Sequence, residues 1–150
     1  MQQTMENLKF LNRIVVLTIG ILLFTGCGEI EPMLELQLKE QAVGEVFTFA
    51  DYCEETYDSV YIILPYEDED VVYSLPYKMS SRLRGRCSYT QDDCFTNILF
   101  IENGIVKAYS KIGSIYASFS FIEFPNNKHI LNTEQKLILD ENRFVHIYNE

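Results

Sequence analysis

The 150-residue chain contains no tryptophan, only 7 Gly and only 4 Pro. So few chain-breaking residues, beside ten Tyr, ten Phe and a hydrophobic fraction of 47%, exclude a collagen-like repeat and a disordered chain. One folded core is expected. Basic residues are also scarce, 12 Lys+Arg against 22 Asp+Glu, for a formal net charge of −10. A nucleic-acid binder neutralises phosphates with Lys and Arg, so that class is excluded. There are only two histidines, His129 and His146, and no His-x-x-x-His, paired Cys-x-x-Cys or calcium-loop spacing, so no metal or cofactor is expected. Gly-x-Ser-x-Gly, Ser-x-x-Lys, a P-loop and a dinucleotide fingerprint are missing as well, which removes serine hydrolases, penicillin-interacting enzymes and nucleotide enzymes.

What is present begins with an address. Lys9 and Arg13 precede the apolar run Ile14–Phe24 of 11 residues, which as a helix covers about half of the ~30 Å hydrocarbon core and is too short for a permanent span. A basic start, a short apolar stretch and small residues after it make a secretory signal. Phe24-Thr25-Gly26-Cys27 then resembles the lipobox of bacterial lipoproteins, with Phe24 where Leu is usual. The resemblance implies cleavage between Gly26 and Cys27, and diacylglyceryl modification of the Cys27 thiol. Cys27 would then be the lipidated amino terminus. Gly28, in place of the Asp that retains such proteins in the inner membrane, implies an outer-membrane anchor facing the periplasm. One acyl chain holds marginally, whereas two or three on a single Cys anchor stably. An ordinary signal peptide with an incidental Cys is the alternative. Removing residues 1–26 leaves 10 basic and 21 acidic residues, a mature net charge of −11.

The expected organisation is a signal peptide over 1–26, a lipidated tether over 27–44 and a single α+β domain over 45–150. The Pro32-containing start and alternating leucines before residue 42 suit a tether or, alternatively, a short helix from Met33 to Gln41. A short helix is expected over Val46–Cys53, with Phe47, Ala50 and Tyr57 inward. The β-branched run Ser59–Leu64, closed by Pro65, predicts a buried strand that Asp58 caps. Glu67-Asp-Glu-Asp70 should supply the carboxylate-rich first turn of a helix ending at Pro76. Residues 78–95 look irregular. Asn97–Ile101 and Ile105–Tyr109 flank Asn103-Gly104, a strong type I′ hairpin signal. A third strand is expected over Ile115–Ile122, with Tyr116, Ser118 and Ser120 on one face, and a second hairpin from Lys136–Asp140 and Phe144–Tyr148. The fold class is α+β, a small and largely antiparallel sheet of about five strands with one or two short helices near the N-terminal side.

Asp58-x-Val60-Tyr61-Ile62-x-x-Pro65-Tyr66, the Ile101-Glu-Asn-Gly-Ile-Val106 hairpin and the terminal strand pair together resemble a group of short bacterial lipoproteins without established function. The likeness covers residues 45–150. It implies a fold and no chemistry. Tyr57 stands where that group often has Trp, and the segment 87–94 is additional.

Candidate chemistry is sparse. Besides Cys27 there are Cys53, Cys87 and Cys94. An exported chain makes a pair and a leftover, and the short 87–94 loop favours a Cys87–Cys94 disulfide worth about 2.5 kcal/mol on a chain-entropy argument. A bond from Cys53 to either is the competing connectivity. His129 sits in a loop, and His146 reads as a sheet-surface residue beside Phe144 and Tyr148. Arg82, Arg84 and Arg86 would share one side of an extended segment and pair internally or at a rim. Glu67–Asp70 could serve a peptidoglycan hydrolase, but adjacent solvated carboxylates do not separate an acid from a base.

The expectation is therefore a non-enzymatic protein-binding envelope lipoprotein, an immunity or inhibitor protein or an accessory subunit of an envelope complex. The alternative is an envelope hydrolase using acidic residues. The partners would be the membrane, through Cys27, and an envelope or toxin protein, with Tyr109, Tyr116 and Tyr148 as contact positions.

Overall fold

The computed structural model describes residues 32–53, 55–67, 70–87, 94–125 and 128–149. The signal segment 1–26, the lipobox with Cys27, Asp68 and Glu69 of the acidic run, and residues 88–93 between the two cysteines lie outside the described residues.

The expected single sheet is in fact two antiparallel sheets. In chain order the elements are α1 (Pro32–Glu40), β1 (Val46–Phe47), a 3-10 turn (Ala50–Tyr52), β2 (Ser59–Ile63), α2 (Val71–Ser74), α3 (Ser81–Cys87), β3 (Phe95–Glu102), β4 (Ile105–Gly113), β5 (Ile130–Asn132), β6 (Leu137–Leu139) and β7 (Val145–Ile147). One sheet has the order β4-β3-β2-β5 and the other β1-β6-β7, so the class is α+β.

The larger sheet is built on the Asn103-Gly104 hairpin. Both turn residues have positive φ, 51° and 74°, as a type I′ turn requires. Asp58 Oδ2 accepts the Asn103 N–H at 2.6 Å, while the Asp58 N–H donates to the Ile101 carbonyl at 2.9 Å, so Asp58 locks β2 onto that hairpin. Opposite Phe100 and Ile101 stand Ala108 and Val106. Lys107 is the extra residue of a bulge, which puts Val106 and Ala108 on opposite faces although they are two apart.

Each face of this sheet has its own apolar cluster. Val60, Ile62, Ile98, Phe100 and Ala108 pack with Leu34 and Leu38 of α1 and with Phe47, Leu137, Leu139 and Val145 of the smaller sheet. At the centre Phe49 stacks on Phe119 at 6.2 Å and meets Phe100 edge-on at 6.5 Å. On the other face Ile63, Leu99, Ile101 and Val106 pack with Val72 of α2 and with Leu83 and Cys87 of α3. The central sheet is thus covered on both sides.

Several expectations are corrected. The stretch read as a tether or a short helix is the helix α1, and Leu34 and Leu38 are at most 1% exposed, so the folded body reaches back to Pro32 and not merely to residue 45. Val46–Cys53 is not one helix. Phe47 and Phe49 are both buried, at strand spacing, and Thr48 and Asp51 then close the turn reciprocally: Thr48 N–H and Oγ1–H donate to Asp51 Oδ2 at 2.7 and 2.8 Å, and Asp51 N–H donates to Thr48 Oγ1 at 3.2 Å.

The irregular 78–95 segment contains α3. Ser80 Oγ accepts the Leu83 N–H at 3.1 Å as an N-cap, and Leu83 and Cys87, four residues apart, form the inward stripe. α2 carries no carboxylate in its first turn; Asp70 precedes it without a side-chain cap bond.

Ile115–Ile122 is not a strand either. Tyr116 and Ala117 N–H groups fold back to the Gly113 carbonyl, Ile122 N–H to that of Phe119, and only Ser118 makes an isolated bridge, to Phe144. Ala117, Ser118 and Phe119 are all buried, which no two-residue alternation produces. The fourth strand of the large sheet is instead β5.

Candidate functional site

β2 directs Val60 and Ile62 into the first cluster and Tyr61 outward on the α2/α3 side of the sheet. After β2 the chain reverses at Leu64-Pro65-Tyr66-Glu67, where Tyr66 has φ 68°. Pro followed by a positive φ is the signature of a type II turn, normally completed by Gly. Tyr66 holds that place while 77% exposed. The turn is closed by Glu67, whose Oε2 accepts the Leu64 N–H at 2.9 Å.

Glu67 is thereby brought to His129, a residue the sequence left in a loop. The His129 carbonyl accepts the Ile62 N–H at 2.8 Å, which extends the β2–β5 pairing and fixes the backbone. Nδ1 lies 2.8 Å from Glu67 Oε1 but off the ring N–H direction, so the contact is a close approach rather than an aligned hydrogen bond. The imidazole is held between Phe124 at 4.6 Å and Tyr61 at 6.2 Å. Tyr77, on the loop before α3, meets Tyr61 at 6.4 Å with the rings inclined by 65°.

Tyr61, Glu67, Tyr77 and His129, with Pro76, Lys128 and Ile130, line a cleft of about 480 Å³. Burial raises the hydroxyl pKa of Tyr61, with further contributions from the charge of Glu67 and from Tyr77, and burial alone raises that of Tyr77. Both phenols therefore stay neutral well into the alkaline range. The site combines aromatic walls, one fixed carboxylate and an imidazole.

The other candidates are scattered. Tyr109 packs half-buried against the α2/α3 cluster. Tyr116 lies on the α1 side, under Lys39 Nζ at 5.4 Å. Tyr148, 36% exposed, follows β7. They form no common surface.

Arg82, Arg84 and Arg86 lie on α3, where 100° per residue sets Arg84 away from the other two, and Arg84 rests over Tyr73 at 5.4 Å. Cys87 and Cys94 stand as separate thiols, the first buried and the second exposed; α3 turns Cys87 into the apolar cluster, where burial pushes its thiol up to about 12. His146 Nε2 contacts Asp140 Oδ2 at 2.9 Å. Among the described residues no cluster of three or more His, Cys, Asp or Glu could hold a metal ion, and no helix is long and apolar enough to cross a membrane.

No protein family matches the chain, and no curated protein or solved structure shows detectable similarity to it.

Proposed function

We propose that this chain is an envelope lipoprotein, anchored through acyl chains on Cys27 and facing the periplasm, that works as a non-enzymatic protein-binding module of the immunity, inhibitor or accessory-subunit kind. The observation that carries the reading is the cleft between Tyr61, Tyr77 and His129, with exposed Tyr66 on the turn beside it. Tyrosines present large contact area at small entropic cost, and interface hot spots favour them. A non-glycine residue kept at positive φ is a local strain that a contact role accounts for. The negative charge of −11 after removal of residues 1–26 supports rapid encounter with a basic partner.

The test is a photo-crosslinking residue placed at Tyr77 in the full-length protein, in cells carrying the native gene. One discrete protein adduct is expected from Tyr77 and none from Lys111. Equal labelling from both positions, or no adduct, overturns the reading.

A hydrolase reading draws on the 2.8 Å Glu67–His129 contact. Among the described residues the cleft lining contains no Ser, Thr or Cys for that pair to activate, so this reading would use a carboxylate-activated water. Peptidoglycan turnover by purified protein, abolished by Glu67→Gln, would establish this alternative and displace the binding one.

A further inference from the structure

We infer that the cleft receives a basic side chain, a lysine or arginine projected by the partner protein; this rests on the binding function proposed above and specifies what the site takes.

Three aromatic rings elsewhere in the molecule already carry a cation. Lys39 lies over Tyr116 at 5.4 Å, Arg84 over Tyr73 at 5.4 Å and Lys111 over Phe95 at 4.1 Å. Among the described residues Tyr61 and Tyr77 have no such cation over them, although their rings meet at 65° and form two walls of one cleft. The face of an aromatic ring is electronegative, so a cation entering between them is attracted and an anion repelled.

Glu67 strengthens the same preference. Among the described residues each of its carboxylate oxygens has one neighbour, His129 Nδ1 on Oε1 and the Leu64 N–H on Oε2. An ionised carboxylate has about four lone-pair sites, so each oxygen can accept again. Its side chain is 23% exposed and therefore within reach of a ligand.

Pro76 and Ile130 supply apolar lining for the methylene stem of Lys or Arg. Lys128 is the opposing charge in the lining; it is an exposed residue, and water screens an exposed ammonium. Glu67 heads a run of four consecutive carboxylates, and the whole chain carries −10, so charge complementarity selects a cation at both short and long range.

The test uses the full-length protein in detergent micelles, titrated with Nα-acetyl-arginine amide and with its neutral isostere Nα-acetyl-citrulline amide. NMR shifts of the His129 ring and the tyrosine rings report occupancy. Saturable binding of the arginine probe is expected, with the citrulline probe weaker by about tenfold. Glu67→Gln and Tyr77→Leu should each weaken the arginine probe by about fivefold or more, whereas Tyr77→Phe, which keeps the ring face, should bind nearly as wild type.

Equal affinity for the two probes, shifts spread over the surface, or tighter binding of Nα-acetyl-glutamate amide would each overturn the inference. Because Glu67→Gln can loosen its own turn, Tyr77→Leu serves as the independent variant. A Tyr77 crosslink to a partner together with no arginine binding removes this inference and leaves the binding function standing; loss of the crosslink as well removes both.

Discussion

Arg143 ties three separate backbone carbonyls to the β6–β7 loop. Its backbone sits at φ 66°, the left-handed position that closes the β6–β7 loop, and a non-glycine residue there costs about 1–2 kcal/mol. In return Nε donates to the Tyr116 carbonyl at 2.7 Å, Nη1 to the Gln41 carbonyl at 2.9 Å and Nη2 to the Leu38 carbonyl. Leu38 belongs to the last turn of α1, whose carbonyls have no intrahelical partner and whose dipole end favours a cation. A bond from a charged group contributes about 1.5–3 kcal/mol, so the fork outweighs the strain. Arg143→Gly should therefore destabilise the protein by about 2 kcal/mol or more in urea titration even though it relieves the backbone. Stabilisation would show that the strain dominates.

Asp140, in the same loop, has its pKa lowered, chiefly by the His146 side chain and then by the Phe144 N–H. A depressed carboxylate adds stability that is fully present above its unfolded pKa and lost as pH falls through the folded one. Asp140→Asn should flatten the acid side of the stability–pH profile, below the ordinary Asp range, and leave the alkaline side unchanged.

Cys87 behaves oppositely. With burial pushing its pKa up to about 12, it stays a thiol near neutral pH. Native protein should label at Cys94 and leave Cys87 protected until unfolding. If a Cys87–Cys94 disulfide forms in the envelope, neither labels before reduction, so mapping with and without reductant separates the two states.

At the scale of elements, α1 shows how a periodicity is resolved. Leu34, Leu36 and Leu38 alternate in sequence and invite a strand or a tether, yet the helix buries Leu34 and Leu38, four residues apart, and leaves Leu36 at 52% exposure. Leu38→Ala should cost about 2–5 kcal/mol, and Leu36→Ala should change stability by no more than about 0.5 kcal/mol. Equal losses in the two variants, measured by thermal or urea unfolding, would contradict the helical docking. α2 and α3 are short and hold by packing rather than propensity: Val72, Leu83 and Cys87 supply their inner faces. Tyr61 and Tyr77, which line the cleft, pack against that same cluster.

At the scale of the whole molecule, the proposed anchor would hold the domain at a membrane, and the net negative charge would draw the proposed basic partner to it. Replacing Cys27 with Ala should move the protein from the detergent phase to the aqueous phase on detergent-phase partitioning. Unchanged partitioning would sink the lipid anchor. Because two or three acyl chains bind far more tightly than one, the shift should be complete rather than partial.

The hairpins and the buried strand were legible because their signals are local. Asn103-Gly104 demands positive φ wherever it occurs, and Ser59–Ile63 is too β-branched and apolar to lie elsewhere than in a covered sheet. Charge followed from composition, and the α+β class from the order of the expected helices and strands. α3 was hidden because Gly85 and the alternating arginines masked a two-residue inner stripe, and Ile115–Ile122 misled because three consecutive buried residues, Ala117 to Phe119, serve contacts from different directions. The split into two sheets depends on which distant segments pair, and β1 with two residues and β5 with three carry almost no pattern of their own. The cleft was the least legible feature. Glu67 and His129 are far apart in the chain and unremarkable separately; only the pairing of β2 with β5 sets the imidazole beside the carboxylate. Sequence alone determined the processing signal as an expectation, the net charge, the α+β class and the local turns, since each is a property of neighbouring residues or of their sum. Tertiary structure decided the site, because a site is a distance between side chains that the chain brings together only when its strands find their partners.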